Sequence, residues 1–181
     1  MSDWQTQSSE IVYETPWMKV RRNEVLNHNG KHLTYSFIEL QHPSVFVVAT
    51  NDKGEILLQR SYRYVLNQTM WEVPAGYSDG ETPLVSAKCE LGEEAGLGGD
   101  NWIELGTFYQ ANGIGNIPFT AFLVRNVHPL DTPLDKDEQI TDRQFMSVAK
   151  IQKMIENGEI VESAHITSLY AAMLHNQKGE Q

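Results

Sequence analysis

The stretch from residue 71 to residue 97, WEVPAGYSDGETPLVSAKCELGEEAGL, constrains the fold most, because it predicts one helix with both ends marked. Thr82 belongs to the residue types that cap helices, and Pro83 follows where a first helical residue tolerates a missing N–H. Gly96 predicts the left-handed residue that ends the last turn. The rest of the chain must therefore pack around a helix that begins at Pro83 and ends before Gly96.

Three glutamates share one face of this helix, because Glu90, Glu93 and Glu94 are spaced i, i+3 and i+4. Carboxylates so close together repel one another, and a hard divalent cation such as Mg²⁺, which prefers oxygen ligands, removes that cost. The alternative is a solvated acidic face, which is the usual use of a charge run. An adjacent face is apolar and can be buried: it comprises Leu84, Ala87, Leu91 and Ala95.

The residues around these glutamates resemble the signature of the Nudix hydrolases, G-x5-E-x7-R-E-U-x-E-E-x-G-U, where U is bulky and apolar. The matching positions are Gly76, Glu81, Glu90, Leu91, Glu93, Glu94, Gly96 and Leu97. Two features depart from it: only four residues separate Gly76 from Glu81, and Cys89 stands where the signature has arginine. In the family that arginine orients glutamates, so its loss is expected to affect rate more than metal binding.

The resemblance implies a metal-dependent site. Mg²⁺ or Mn²⁺ would be held by Glu90, Glu94 and the backbone carbonyl of Ala75, with Glu93 close by in a catalytic role. The same resemblance gives Gly76, Glu81 and Gly96 structural roles within the signature.

Composition narrows the class of protein. The 181 residues include 14 basic and 24 acidic ones, and the net charge of −10 argues against broad electrostatic binding of nucleic acid. The length and a hydrophobic content of 40% predict one soluble domain with a sizeable core. The single cysteine fits a reducing compartment. No apolar run reaches the roughly 20 residues of a membrane span, and residues 1–10 lack a secretory signal, so we expect a cytoplasmic protein.

The amino-terminal part predicts β-structure before the main domain. Residues 1–10 are polar and are expected to be loose. Residues 11–43 predict strands with an Asn-Gly hairpin signal at Asn29-Gly30. They are similar to the amino-terminal extension of ADP-ribose and nucleotide-sugar pyrophosphatases, which implies a homodimer. The alternative is a hairpin that decorates a monomer. The Nudix domain is expected over residues 44–181.

Two short segments are similar to the same subgroup. QRSYRY resembles a segment whose arginine contacts a substrate phosphate, and this implies substrate contacts for Arg63 and for the nearby aromatic Tyr62. A planar guanidinium suits a phosphate better than a lysine does. WEVPAG resembles a run in which the glutamate, here Glu72, lies near the substrate. Surface pairing of Arg63 and a strand-end salt bridge of Glu72 are the alternatives.

The polar segment HPLDTPLDKDEQI predicts a long loop. In the ADP-ribose subgroup the corresponding loop carries a glutamate that acts as, or positions, the general base, and Glu138 is its counterpart here. The alternative is a solvated acidic loop. Beyond this loop, Ser147 predicts the start of one helix and a final helix begins near Ser163. For His165 we expect a surface position or a local hydrogen bond.

Taken together, the fold class is predicted as α+β, a Nudix-type α/β/α sandwich of mixed sheet and helices. The resemblance implies hydrolysis of the pyrophosphate bond in ADP-ribose or a nucleotide sugar, which would yield a nucleoside monophosphate and a sugar phosphate. A non-hydrolytic binding module is the competing class, since Cys89 and the shortened loop alter the signature. Dinucleotides or capped RNA ends are further substrates to distinguish. The base and the sugar are not specified by the sequence.

Overall fold

The computed structural model describes residues 3–78, 80–135 and 139–178. Its strands are β1 Gln5–Glu14, β2 Met18–Leu26, β3 His32–Leu40, β4 Ser44–Ala49, β5 Ile56–Arg63, β6 Gln68–Glu72, β7 Ala75–Tyr77, β8 Leu97–Gly98, β9 Asn101–Gln110, β10 Gly115–Arg125, β11 His128–Pro129 and β12 Ile140–Met146. Its helices are α1 Pro83–Ala95, α2 Val148–Glu156 and α3 Ser163–Lys178. The chain divides into two compact units. The first comprises residues 1–43 and 109–118, and the second comprises residues 44–108 and 119–181.

The first unit is an antiparallel arrangement of β1, β2 and β3. The predicted hairpin between β2 and β3 is present: Gly30 has φ 73°, and the side-chain oxygen of Asn27 accepts hydrogen bonds from the backbone N–H groups of Asn29 and Lys31. The prediction that residues 1–10 are loose is wrong for residues 5–10. Those polar residues belong to β1, because their backbone groups pair with β2 although their side chains stay exposed.

In the second unit, β4 lies at the centre of a mixed sheet. It is parallel to β10 and antiparallel to β7. Five consecutive residues of β4, from 45 to 49, are buried, because alternate side chains enter cores on opposite sides of the sheet. Val45 and Val47 pack with Ala87 and Leu91 of α1. Phe46 and Val48 pack with residues of α2 and α3. The unit therefore has helices on both faces of a sheet, as the α/β/α prediction requires.

A second sheet in this unit is antiparallel, in the order β12, β5, β6. Its central strand β5 also serves both cores, since Leu57 joins the cluster under α1 while Ile56 and Leu58 join the other. The sequence analysis did not assign β12, whose seven residues are mostly polar.

Helix α1 has the predicted bounds but not the predicted cap. Thr82 is extended, with φ −67° and ψ 145°, yet its side chain makes no capping hydrogen bond. Because Pro83 has no N–H, one of the donors that a cap would serve is absent. Gly96 adopts the predicted left-handed conformation, with φ 66°, and its N–H donates to the carbonyl of Gly92 at 2.8 Å.

The other two helices begin where they were predicted. The hydroxyl of Ser147 accepts a hydrogen bond from the N–H of Lys150 at 3.3 Å, and α3 begins at Ser163. Within residues 3–78, 80–135 and 139–178, no helix is long and apolar enough to cross a membrane.

The residues that precede α1 and α2, Thr82 and Ser147, predict different losses of stability when each is replaced by alanine. Ser147→Ala removes a capping acceptor and is expected to lower the free energy of unfolding by about 1 kcal/mol. Thr82→Ala removes no capping hydrogen bond and is expected to cost clearly less. Urea unfolding of both variants and the parent gives the two values. Equal losses would contradict the different roles of these caps.

Candidate active site

Two carboxylates of helix α1 lie against consecutive residues of strand β7: Glu94 against Ala75 and Glu90 against Gly76. Glu94 is 1% exposed. Its Oε2 accepts hydrogen bonds from the N–H of Ala75 at 2.8 Å and from Nε2 of Gln59 at 2.9 Å. Both of these donors are uncharged groups that fix the orientation of the carboxylate. A buried carboxylate held in this way is a natural ligand for a cation.

Glu90 lies against the next residue of β7. A Cβ at position 76 would be 1.9 Å from Oε1 of Glu90 and 2.2 Å from its Cδ. Gly76 therefore leaves the space that the Glu90 carboxylate fills, which is the physical reason for glycine at this position of the signature. Since consecutive Cα atoms are about 3.8 Å apart, the carboxylates of Glu90 and Glu94 meet the strand within one residue of each other.

This donor set fits a hard divalent cation. It offers oxygen atoms, as Mg²⁺ and Mn²⁺ prefer: the carboxylates of Glu90 and Glu94 and the backbone carbonyl of Ala75. In the described part of the chain, no group of three or more His, Cys, Asp or Glu side chains is arranged to hold a metal ion. A protein site at this place would therefore combine two carboxylates with a backbone oxygen, and water would complete it.

Three other positions of the signature, Glu81, Cys89 and Glu93, lie just before α1 or within it. Glu93 is exposed, so the three glutamates differ in burial although they share a helix face. Its backbone carbonyl accepts a hydrogen bond from the N–H of Asp135 at 2.8 Å. This contact anchors the loop after β11 to the helix end that carries Glu93. Glu138, in the same loop, lies outside the described residues. Glu81 and Cys89 are exposed.

Arg63 and Glu72 contact each other. Nε of Arg63 donates to Oε1 and Oε2 of Glu72 at 3.0 and 2.9 Å, and a terminal nitrogen also pairs with Oε2. Glu72 is 1% exposed, while the Arg63 side chain is 38% exposed. The salt bridge that was the alternative interpretation is thus the observed contact, and the expected substrate roles of both residues stay predictions. The hydroxyl of Tyr62 donates to the side-chain oxygen of Asn67 at 3.0 Å.

His165 of α3 stands behind Glu72, which the sequence did not indicate. It is 3% exposed, so of the two alternatives expected for this residue the surface position is wrong and a hydrogen bond is observed. Nδ1 accepts a hydrogen bond from the N–H of Val73 at 3.2 Å, which places the ring proton on Nε2, 3.7 Å from Oε2 of Glu72. Burial, together with the nearby positive charge of Arg63, lowers the pKa of His165 to about 3. A neutral imidazole therefore supports the turn from β6 into β7.

Two further residues, Gln59 and Arg143, contact Glu94, and the sequence did not identify either of them as part of the site. Gln59 is fully buried and directly follows the apolar residues Ile56–Leu58 of β5, and Nε of Arg143 donates to the backbone carbonyl of Glu94. The only sequence signal for Gln59 was a polar residue directly after the apolar residues ILL. Its meaning depends on β5 passing beside α1, which only the folded chain shows.

The contact between residue 76 and Glu90 predicts the effect of adding one methyl group. Gly76→Ala should displace the Glu90 carboxylate and weaken Mn²⁺ binding by at least about tenfold, roughly 1.4 kcal/mol. Gly92→Ala is the matched control in α1, because a Cβ there meets nothing closer than 3.7 Å. Titration of Mn²⁺ followed by electron paramagnetic resonance measures both. An unchanged dissociation constant for Gly76→Ala would refute the assignment.

The buried imidazole predicts a pH dependence of stability. Between the unfolded pKa of about 6.5 and the folded value of about 3, the unfolded state binds a proton that the folded state does not. Stability is therefore lost as the pH falls through this window, by up to about 1.4 kcal/mol per pH unit. His165→Asn keeps an acceptor for Val73 without the titration, so its curve should be shallower there. Urea unfolding from pH 4 to 8 tests this, and parallel curves would contradict it.

Comparison with known proteins shows which families the chain resembles. A NUDIX domain profile matches residues 40–164, and a profile of the nucleoside diphosphate sugar hydrolase N-terminal domain matches residues 4–38. The chain is 29% identical over 172 residues to an ADP-ribose pyrophosphatase of Mycobacterium tuberculosis, covering 93% of this chain and 83% of the relative. It is 26% identical over 156 residues to an ADP-ribose pyrophosphatase of Bacillus subtilis, covering 83% of this chain and 75% of that relative.

A solved structure described as an ADP compounds hydrolase shares the fold, with a TM-score of 0.85 at 19% identity. The match covers 98% of this chain and 95% of that one. This confirms the predicted α+β fold of Nudix type. The NUDIX profile spans well over half of the chain and includes β7, α1 and both carboxylates. The protein is a member of the Nudix family.

Proposed function

We propose that this protein hydrolyses the pyrophosphate bond of ADP-ribose or a related nucleotide sugar, giving a nucleoside monophosphate and a sugar phosphate. The observation that carries the proposal is the pair of carboxylates, Glu90 and Glu94, held against Ala75 and Gly76 of β7. Support for the substrate comes from the two relatives, both named ADP-ribose pyrophosphatase. The amino-terminal profile, named for nucleoside diphosphate sugar hydrolases, points to the same class.

In this proposal the chain binds Mg²⁺ or Mn²⁺ through Glu90, Glu94 and the carbonyl of Ala75. A divalent cation in such a site neutralises diphosphate charge and lowers the pKa of water, so a carboxylate suffices as base. Glu93 or Glu138 would accept the proton of the attacking water on a carboxylate oxygen. The N–H of Asp135 donates to the carbonyl of Glu93, so the described part of this loop, up to residue 135, lies against the helix end that carries Glu93.

Arg63, Glu72 and Tyr62 are proposed to contact the substrate. Arg63 has five N–H donors in a planar fork, and the buried Glu72 fixes that fork through Nε and one terminal nitrogen. A guanidinium held in place by a carboxylate loses little rotamer freedom when a phosphate arrives. Tyr62 is proposed to lie near the base.

We propose that residues 11–43 mediate a homodimer and that the protein works in the cytoplasm without nucleic acid as a partner. The first unit exposes large apolar side chains on or beside its strands, which favours association. These are Trp4, Ile11, Val12, Tyr13, Trp17 and Tyr35. Sedimentation velocity at several concentrations decides between a dimer and a monomer that carries an exposed hairpin.

A substrate panel tests the proposed reaction. The parent should cleave ADP-ribose with Mg²⁺ or Mn²⁺, and GDP-mannose, UDP-glucose and dinucleotides define its range. Glu94→Gln should lower turnover by about 100-fold or more, because even the partners of metal ligands are worth 10–100-fold. Glu156→Gln, an exposed change at the end of α2, is the matched control.

The outcomes are distinct. Full turnover by Glu94→Gln would show the metal assignment to be wrong. Calorimetric binding of ADP-ribose without turnover of any compound in the panel would instead identify a binding module, in line with the cysteine at position 89.

A further inference from the structure

A row of polar side chains crosses the sheet of β12, β5 and β6 beside Glu94. Arg143 is the register partner of Gln59, and Gln59 is the register partner of Glu72. Partners on antiparallel strands carry their side chains on the same face of the sheet. Two members of this row reach α1: Nε2 of Gln59 donates to Oε2 of Glu94, and Nε of Arg143 donates to the backbone carbonyl of Glu94.

Glu94 is consequently fixed through both its backbone and its side chain. Its backbone carbonyl lies in the last turn of α1, where carbonyls have no partner within the helix and a cation is favourable. Arg143 supplies that cation. The carboxylate is held by two neutral donors, Gln59 and the N–H of Ala75. This arrangement fixes the direction of the side chain.

Gln59 makes this contact at a cost in desolvation of its side-chain amide. It is fully buried, and its Oε1 has no hydrogen-bond partner among the described residues. An amide that donates to a carboxylate must turn its NH₂ group toward it, so the carbonyl oxygen is left inside the protein. An apolar side chain would avoid this penalty, as Leu57 does two residues earlier on the same face of the strand. Packing therefore does not explain a glutamine here, whereas orientation of Glu94 does.

We propose that Gln59 and Arg143 are positioning residues that orient Glu94 toward a divalent cation from a neighbouring sheet. They act from outside the signature helix, in a chain whose signature arginine is replaced by Cys89. This inference rests on the metal site of the proposed function. It adds that the geometry of this site depends on β5 and β12 as well as on α1 and β7.

Gln59→Met separates positioning from packing. Methionine has a similar volume and removes both the donor to Glu94 and the unpaired oxygen. We expect the Mn²⁺ dissociation constant to rise about 10–100-fold, while the free energy of unfolding in EDTA stays equal to that of the parent or rises. Gln144→Met, an exposed change on β12, is the matched control. A variant that is less stable in EDTA but binds Mn²⁺ like the parent would overturn the inference for Gln59.

Arg143→Met is the second test, with Arg125→Met as its control. Arg125 is also partly buried and also donates to a neutral oxygen, that of Asn176 at 2.8 Å, which is far from β7 in the chain. We expect Arg143→Met to raise the Mn²⁺ dissociation constant about tenfold or more and Arg125→Met to leave it unchanged. Arg143→Lys, which keeps the charge, should recover part of the affinity. Equal affinities of both methionine variants and the parent would overturn the role of Arg143.

Glu94→Gln distinguishes failure of this inference from failure of the metal site. If Glu94→Gln binds Mn²⁺ as the parent does, the metal site itself is wrong and the inference falls with it. If Glu94→Gln loses Mn²⁺ while Gln59→Met and Arg143→Met keep it, the metal site stands and only the positioning roles are refuted. Turnover of ADP-ribose by the same variants should fall in the order of their Mn²⁺ affinities.

Discussion

The contact between α1 and β7 is the constraint on which the site depends. Glu90 fills the space above Gly76, and Glu94 accepts the N–H of Ala75. The contact requires a residue without a side chain at position 76 and a helix that starts and stops at fixed points. Burial of Ala87 and Leu91 against β4 supplies the apolar energy that holds the helix there. The same helix can therefore be packed on one side and carry carboxylates on another.

The buried polar groups around this contact are hydrogen-bonded to one another or to partly exposed neighbours. Arg63 pairs with Glu72, His165 accepts the N–H of Val73, and Gln59 donates to Glu94. Such groups add little net stability, since desolvation offsets much of what their contacts return. Their effect is to fix the directions of side chains, and the proposed site, which would present two carboxylates to one cation, needs such fixed directions. The unpaired oxygen of Gln59 is consistent with this use.

Particular residues show how much of the fold and of the candidate site could be predicted from the sequence. Pro83 and Gly96 defined α1, and the spacing of the signature identified Glu90, Glu94 and Gly76 together, because these are local patterns with a direct physical reading. Leu84 was expected on the buried face, yet it is 38% exposed. A helix period gives the direction of a side chain, but the neighbouring element decides whether anything covers it. For the same reason the polar sequence of residues 5–10 did not indicate a strand, since the strand depends on pairing with β2.

The sequence by itself determined the family and the bounds of α1, and it indicated the residues that we propose to bind a cation, since each follows from residue type and short spacing. Only the tertiary structure decided which distant residues serve them. Gln59 and Arg143, which contact Glu94, lie 35 and 49 positions from it along the chain, and His165 lies 92 positions from Val73, whose N–H it accepts. No local period relates the members of these pairs. Their contacts arise from the register of β5 with β12 and β6 and from the packing of α3, and such register is set by the whole core.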